Sequence, residues 1–220
     1  MFCGNAAGKM LPPYVVYKSN KLWLTWVKNG PNGARYNRSK SRWFDTAFFE
    51  DWFAFLLLPT LKPIPGIKVL IGDNLSSHIS IKVLQLCATE NIKFVCLPAN
   101  STHLTQPLDV AYFRPMKIAW RNILVEYKTL NVNTNLIPKG TFPTLLKKLV
   151  EIISVNGEKN LESGFRKCGI SPLNAEKVLT RIPNYKTDAT QVPSRVSDAV
   201  LNFLAEKRGV QLTELKEKEK

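Results

Sequence analysis

Lys68-Val69-Leu70-Ile71-Gly72-Asp73 is the stretch whose reading decides the fold. A short apolar run stands between Pro/Gly punctuation and a Gly-Asp-Asn turn, which reads as a buried central strand over 68–71. Working outward, Ser77 or His78 starts a helix whose apolar residues are Ile79, Ile81, Val83, Leu84 and Leu86. Residues 92–97 form the next strand and 98–105 a loop. Pro107 then stands where the first turn of a helix accepts proline. Asp109, Phe113, Met116, Trp120, Ile123, Leu124 and Tyr127 follow down that helix, and Pro115 should kink it or delay its regular start. The order strand, helix, strand, helix favours parallel pairing through a right-handed crossover, which is an α/β architecture.

On the N-terminal side, 13–18 reads as a strand and 21–27 as a weaker one. Residues 29–42 read as a polar, Gly-rich loop. A helix over 46–57 carries Phe48, Phe49, Trp52, Phe53, Phe55 and Leu56, and Pro59 should end it. On the C-terminal side, 131–141 is a polar linker. Helices are expected over 142–155, over 160–168 and, after a proline-containing stop at 170–174, over a short segment. A last helix candidate spans 194–208, with Val196, Val200, Leu201 and Leu204 on one face. The Lys/Glu alternation of 215–220 reads as a frayed end.

With 220 residues and 45% hydrophobic content, the chain can build a sizeable core, and wholesale disorder is excluded. Lys and Arg total 31 against 17 for Asp and Glu, giving a net charge of +14 and a pI near 9.7. Such a balance calls for a polyanionic partner, nucleic acid before anionic membrane. No apolar run approaches the roughly 18 residues of a membrane span. Residues 1–11 lack the basic and apolar regions of a secretory signal, so an intracellular protein is expected. Cys3, Cys87, Cys96 and Cys168 form no C-x-x-C pair, and two histidines cannot complete a zinc finger.

The first acidic residue is Asp45. Before it come Lys9, Lys18, Lys21, Lys28, Arg35, Arg38, Lys40 and Arg42, interleaved with Tyr14, Tyr17, Trp23, Trp26, Tyr36 and Trp43. This pattern suits phosphate contact with base stacking, and it equally suits strand-core aromatics beside solvated lysines. Arg114, Lys117, Arg121 and Lys128 share one broad helix face, which is either a DNA-facing surface or an ordinary solvated one.

Asp73 follows the 68–71 strand directly, at the edge where α/β folds place ligand sites. Asp109 stands in the first turn of the later helix, where the helix dipole favours a carboxylate. Thirty-five residues separate them, enough for a strand-helix-strand excursion that returns to the same edge. Two converging carboxylates make a site for a hard divalent cation. From spacing alone, each is equally an ordinary turn or helix-start residue.

The surrounding words carry a resemblance. Gly72-Asp73-Asn74-Leu75-Ser76-Ser77-His78 and Leu97-Pro98-Ala99-Asn100-Ser101-Thr102-His103-Leu104-Thr105-Gln106-Pro107-Leu108-Asp109-Val110 resemble the D-N-x-x-S-H and L-P-x-x-x-T-H-x-x-Q-P-L-D-V segments of DDE superfamily endonucleases of the pogo/Tigger/jerky type. Asn5-Ala6-Ala7-Gly8, Leu11-Pro12-Pro13, Gly30-Pro31-Asn32-Gly33, Ser41 to Trp43 and Trp52-Phe53 also resemble that core. Gly164-Phe165-Arg166-Lys167-Cys168-Gly169-Ile170-Ser171-Pro172-Leu173-Asn174 is similar to its G-F-x-x-x-G-I-x-P-x-N signature. The resemblance covers about residues 2–183.

It implies an RNase H-like α/β core, lacking its first strand here, over 1–130. A C-terminal helical part of the same region follows over 131–183, and a linker with a terminal helix or tail over 184–220. It implies that Asp73 and Asp109 are the second and third of three acids that hold Mg²⁺ (or Mn²⁺) for phosphodiester cleavage and strand transfer. The first acid belongs upstream of 3–8, and Asp45, Glu50 and Asp51 do not replace it by position. Arg42 stands where the family usually has Gly. Asn74, His78 and His103 are expected behind the two carboxylates, as orienting or phosphate-contacting residues; packing or capping roles fit them too. Lys117 and Arg121, with Arg35, Arg38 and Lys40, are candidate DNA contacts. The expected partner is DNA and not membrane, the expected location the nucleus, and a homo-oligomer stays open because such transposases commonly act as multimers. Whether the chain is an enzyme also stays open. With a complete site the cofactor is Mg or Mn, and with an incomplete one there is none. The alternatives are a non-catalytic domesticated DNA-binding or interaction protein and a non-functional transposon relic.

Overall fold

The structure is a computed structural model that describes residues 1–41, 43–73, 80–132 and 136–182. Met1–Arg181 forms one compact unit of mixed helices and small sheets, an α/β arrangement. The helix expected over 194–208 lies outside the described residues.

Strand β1 (Tyr14–Lys18) pairs in parallel with β2 (Arg35–Ser39), Tyr14 opposite Arg35 and Lys18 opposite Ser39. The expected loop over 29–42 therefore contains a strand. Arg-Tyr-Asn-Arg-Ser shows no apolar alternation, and its strand state comes from long-range partners. Arg35 grips Asp51 through two bonds of 2.6 and 2.7 Å, and Asn37 donates to the Tyr14 hydroxyl at 3.0 Å. The expected weaker strand over 21–27 is instead a 3-10 turn, Leu24–Trp26. Trp26 is drawn back onto β1, where its carbonyl accepts from the Tyr17 hydroxyl and its ring lies 5.4 Å from the Tyr17 ring.

Helix α1 (Thr46–Trp52) is capped by Asp45, whose side chain accepts from the Phe48 amide. It continues through a π-helical turn, Phe53–Leu57, into a final turn α2 (Leu58–Leu61). Pro59 thus lies inside the helical stretch and does not end it. In the widened turn the Leu58 amide reaches back five residues to the Phe53 carbonyl, loosening the ladder where the proline ring would otherwise clash.

Strand β3 (Lys68–Gly72) pairs in parallel with β4 (Ile92–Cys96), and α3 (Ile81–Thr89) makes the crossover. Ser80 caps α3, accepting from Val83 N–H and donating to Glu50 at 2.5 Å. The expectation of a buried central strand needs correction. Only Leu70 of β3 is buried, Val69 is 59% exposed, and among the described residues β3 has a strand partner on one side only. The two two-stranded sheets share no ladder among the described residues.

One core packs Phe49, Trp52, Phe53 and Leu57 against Tyr14, Leu70, Val83, Cys87 and Ile92. Phe53 is fully buried, and each such side chain contributes about 1.5–3 kcal/mol by leaving water. A second core joins Ile123 of α5 (Phe113–Leu130) to Leu145, Leu146 and Leu149 of α6 (Phe142–Ser154).

Candidate functional site

Strands β3 and β4 finish together: the Leu97 amide donates to the Gly72 carbonyl at 2.8 Å, and Gly72 is in register with Cys96. Asp73 is the next residue after β3. The chain leaves β4 through a tight loop, in which the Ser101 hydroxyl donates to the Pro98 carbonyl at 2.7 Å and the Thr105 hydroxyl to the Ser101 carbonyl at 2.9 Å. A short helix α4 (Thr102–Thr105) follows, then Gln106, Pro107 and a π-helical turn, Leu108–Tyr112, that carries Asp109. The π-turn runs straight into α5, the Phe113 amide reaching back five residues to the Leu108 carbonyl, so Pro115 follows just after a widened turn, as Pro59 does. Helix α7 (Gly157–Lys167) packs on the π-turn from behind.

The site's electrostatics show that the two acids share a field. The Asp109 carboxyl is pushed above the usual carboxylate range, chiefly by partial loss of water around it. Lys117, two turns along the helix, pulls it back, and the Asp73 charge pushes it up further. The Cys96 thiol is also raised, by burial and then by Asp73. Asp73, Asp109, Cys96 and Lys117 are therefore one neighbourhood. A divalent cation relieves such carboxylate repulsion. The donor set is small, however. Among the described residues no group of three or more His, Cys, Asp or Glu side chains is placed to hold a metal.

The other expected residues are distributed as follows. His103 sits exposed on α4, and its backbone carbonyl accepts from Arg181 at 3.3 Å. Asn74 and His78 lie outside the described residues, as does Arg42. Lys117 and Arg121 are exposed on α5, on the face that also carries Arg114 and Lys128. Arg38 and Lys40 are exposed at the end of β2. Arg35 is not a free cation: its guanidinium is held by Asp51 and lies 4.1 Å from the centre of the Phe55 ring. The early acids are engaged too, Asp45 as a cap, Glu50 with Ser80 and Lys82, and Asp51 with Arg35 and Tyr14.

Two residues of this neighbourhood were not singled out from sequence. The Gln106 side-chain oxygen is buried without a hydrogen-bond partner, one position before Pro107. The second is Arg181, whose guanidinium ties the Leu104 and His103 carbonyls to the C-terminal helical part. Gln106 was visible as a letter of the Q-P-L-D-V motif, whereas nothing local marked Arg181.

Comparison with known proteins agrees with the motifs. The DDE superfamily endonuclease family matches residues 1–156. A protein named MFS-type transporter clz9, from Cochliobolus lunatus, is 28% identical over 180 residues, covering 81% of this chain and 19% of that protein. The pogo transposable element with KRAB domain of Mus musculus is 22% identical over 173 residues, covering 76% of this chain and 28% of its own length; its Homo sapiens counterpart matches equally. This chain thus spans a fifth to somewhat over a quarter of the curated relatives it matches. No solved structure matches. Among the described residues no helix is long and apolar enough to cross a membrane. The chain is similar to pogo transposable element proteins and belongs to the DDE superfamily endonuclease family.

Proposed function

We propose that these 220 residues are a DNA-binding transposase core that is catalytically incomplete by itself. The observation that carries the reading is the pairing of Asp73 and Asp109 in one electrostatic neighbourhood, with no third acid beside them among the described residues. The ancestral chemistry is Mg²⁺-dependent phosphodiester cleavage and strand transfer. When bound, Mg²⁺ or Mn²⁺ supplies the positive charge that offsets developing negative charge on phosphate oxygens. In this chain Asp73 and Asp109 would hold the ion, and Lys117 offsets part of their charge. Two carboxylates leave a near-octahedral ion mostly water-ligated, which predicts weak binding.

The fold reading is an RNase H-like core without its opening strand. It is supported by the parallel β3–α3–β4 unit, by the one-sided pairing of β3, and by the separation of the two small sheets. DNA binding is supported by the +14 charge and by the exposed basic face of α5. A nuclear location follows from this reading.

The test is twofold. Binding of a 20-base-pair duplex should fall steeply between 50 and 200 mM salt; salt-independent or absent binding sinks the DNA reading. With Mn²⁺, plasmid nicking by the chain should equal that of Asp73→Asn and Asp109→Asn. Nicking that both substitutions abolish refutes catalytic incompleteness. A second reading, a relic that no longer folds stably, is favoured by the two unjoined sheets, and broad, non-cooperative thermal unfolding would support it.

A further inference from the structure

Among the six aromatic residues interleaved with the early lysines and arginines, the structure separates two kinds. Tyr14 and Tyr17 are buried. Tyr36 stacks on Tyr17 at 6.2 Å, and Trp26 packs on Tyr17 beneath the Lys139 ammonium, 4.6 Å from its ring centre. These four are core and second-layer residues. Trp23 and Trp43 are not: they are 57% and 79% exposed, and Leu24 beside Trp23 is 77% exposed.

Both tryptophans leave the same edge of the β1–β2 sheet. Lys18 and Ser39 are register partners at its C-terminal end, and the Ser19 amide donates to the Ser39 carbonyl at 3.0 Å. The Ser39 and Ser41 hydroxyls are hydrogen-bonded at 3.0 Å, and the Trp43 amide donates to the Ser41 hydroxyl. On the other strand, the Lys21 amide donates to the Ser19 hydroxyl, leading into Trp23. A run of backbone and serine hydrogen bonds thus ties together the starts of the two segments that carry Trp23 and Trp43, at one end of the sheet, which we call the rim. Lys21 precedes Trp23 by two positions and Lys40 precedes Trp43 by three, and Lys139 joins the same end of the sheet through its bond to the Lys18 carbonyl; all four lysines are exposed. The first acid of the chain, Asp45, comes only after Trp43.

We propose that this rim is a platform for unpaired nucleotides: Trp23 and Trp43 stack exposed bases while the lysines hold the adjoining phosphates. The proposal rests on the DNA-binding reading above and adds a preference for single strands at a defined place. Lysines alone would serve a duplex, whose base faces are hidden. On a nucleic acid, exposed indoles can stack only where base faces are uncovered, and such stacking is tolerant of sequence. A dry protein-docking face would be depleted of lysine, which this rim is not.

The experiment measures binding of the full chain to an oligo-dT 20-mer and to a blunt 20-base-pair duplex by fluorescence anisotropy across a salt series. Trp23→Ala/Trp43→Ala should lose about tenfold or more in affinity for the single strand. Duplex affinity should change less than about twofold, and the salt slope should be unchanged because no phosphate contact is lost. Trp23→Phe/Trp43→Phe should recover most of the single-strand affinity, which separates stacking from a folding defect. Equal losses on both ligands, or no loss on the single strand, overturn the platform while leaving DNA binding intact. If the parent chain binds neither oligonucleotide, both readings fall. If the alanine pair instead dissolves a self-association of the chain and leaves single-strand binding unchanged, the rim is a protein interface and the proposal is overturned.

Discussion

Gly164 of α7 lies directly against the Pro107 carbonyl of the Asp109-bearing segment: a Cβ on Gly164 would stand 2.5 Å from that oxygen and 3.1 Å from its carbon. The atoms it would strike are backbone, so nothing flexible can give way. The Gly of the G-F-x-x-x-G-I segment is thereby tied to the Pro of Q-P-L-D-V, 57 positions earlier in the chain. Gly164→Ala should force α7 away from the π-turn and destabilise the fold by about 1–3 kcal/mol. Gly140→Ala, whose nearest neighbour is an ordinary 3.5 Å contact, should change stability far less. Urea unfolding of both variants compares them, and equal stabilities would contradict the close approach.

The Arg35–Asp51 pair should make stability depend on pH in the acid range. Hydrogen bonds from Arg35, and then from Tyr14, hold the Asp51 carboxyl below the usual carboxylate range. A depressed folded-state value stabilises above the unfolded pKa of about 4, and that contribution is lost as pH falls through the lower folded value. Asp51→Asn should cost about 1–2 kcal/mol at pH 7. The gap between variant and parent should close as pH drops from 5 towards 2. A gap that persists at pH 2 would show that Asp51 acts by shape and not by charge.

For Asp109 the sign is opposite. Its carboxyl is raised by partial desolvation, opposed by Lys117 and assisted by Asp73. Lys117→Gln should raise it further and Asp73→Asn should lower it, as read by carboxyl-carbon NMR titration. An Asp109 titration unmoved by Asp73→Asn would place the two carboxylates in separate environments and remove the cation site.

The basic residues should divide into two groups on DNA. Replacing Lys117 or Arg121 with Gln should each reduce the salt slope of duplex binding by about 0.9, the loss of one phosphate contact. Arg35→Gln should leave the slope unchanged, because its guanidinium is already paired with Asp51 at 2.6 Å. A slope change for Arg35→Gln as large as for Lys117→Gln would show that the ion pair opens to the phosphate.

The local frame of the candidate site was legible from the chain. The 68–71 run, the helical spacing after it and the apolar 92–97 run are local signals, and they led to a parallel unit with Asp73 at its edge. The helix-start proline placed Asp109 in a first helical turn, where the structure has it, while its role in a site came only from the resemblance. Strand β2 was not legible, since Arg-Tyr-Asn-Arg-Ser has no pattern of its own and becomes a strand only with Tyr14 and Asp51 in place. Nor was the passage of helix through Pro59, which depends on one widened turn.

By itself the sequence determined the charge, the motif spacings and the α/β order, because these are properties of residue type and short-range periodicity. Only the tertiary structure decided which of six similar aromatics are core and which face solvent, that Arg35 is an internal pair while Lys117 is exposed, and that Gly164 seats the turn of Asp109. Each of those outcomes depends on partners tens of residues away, and burial, ion pairing and steric fit are properties of the pair.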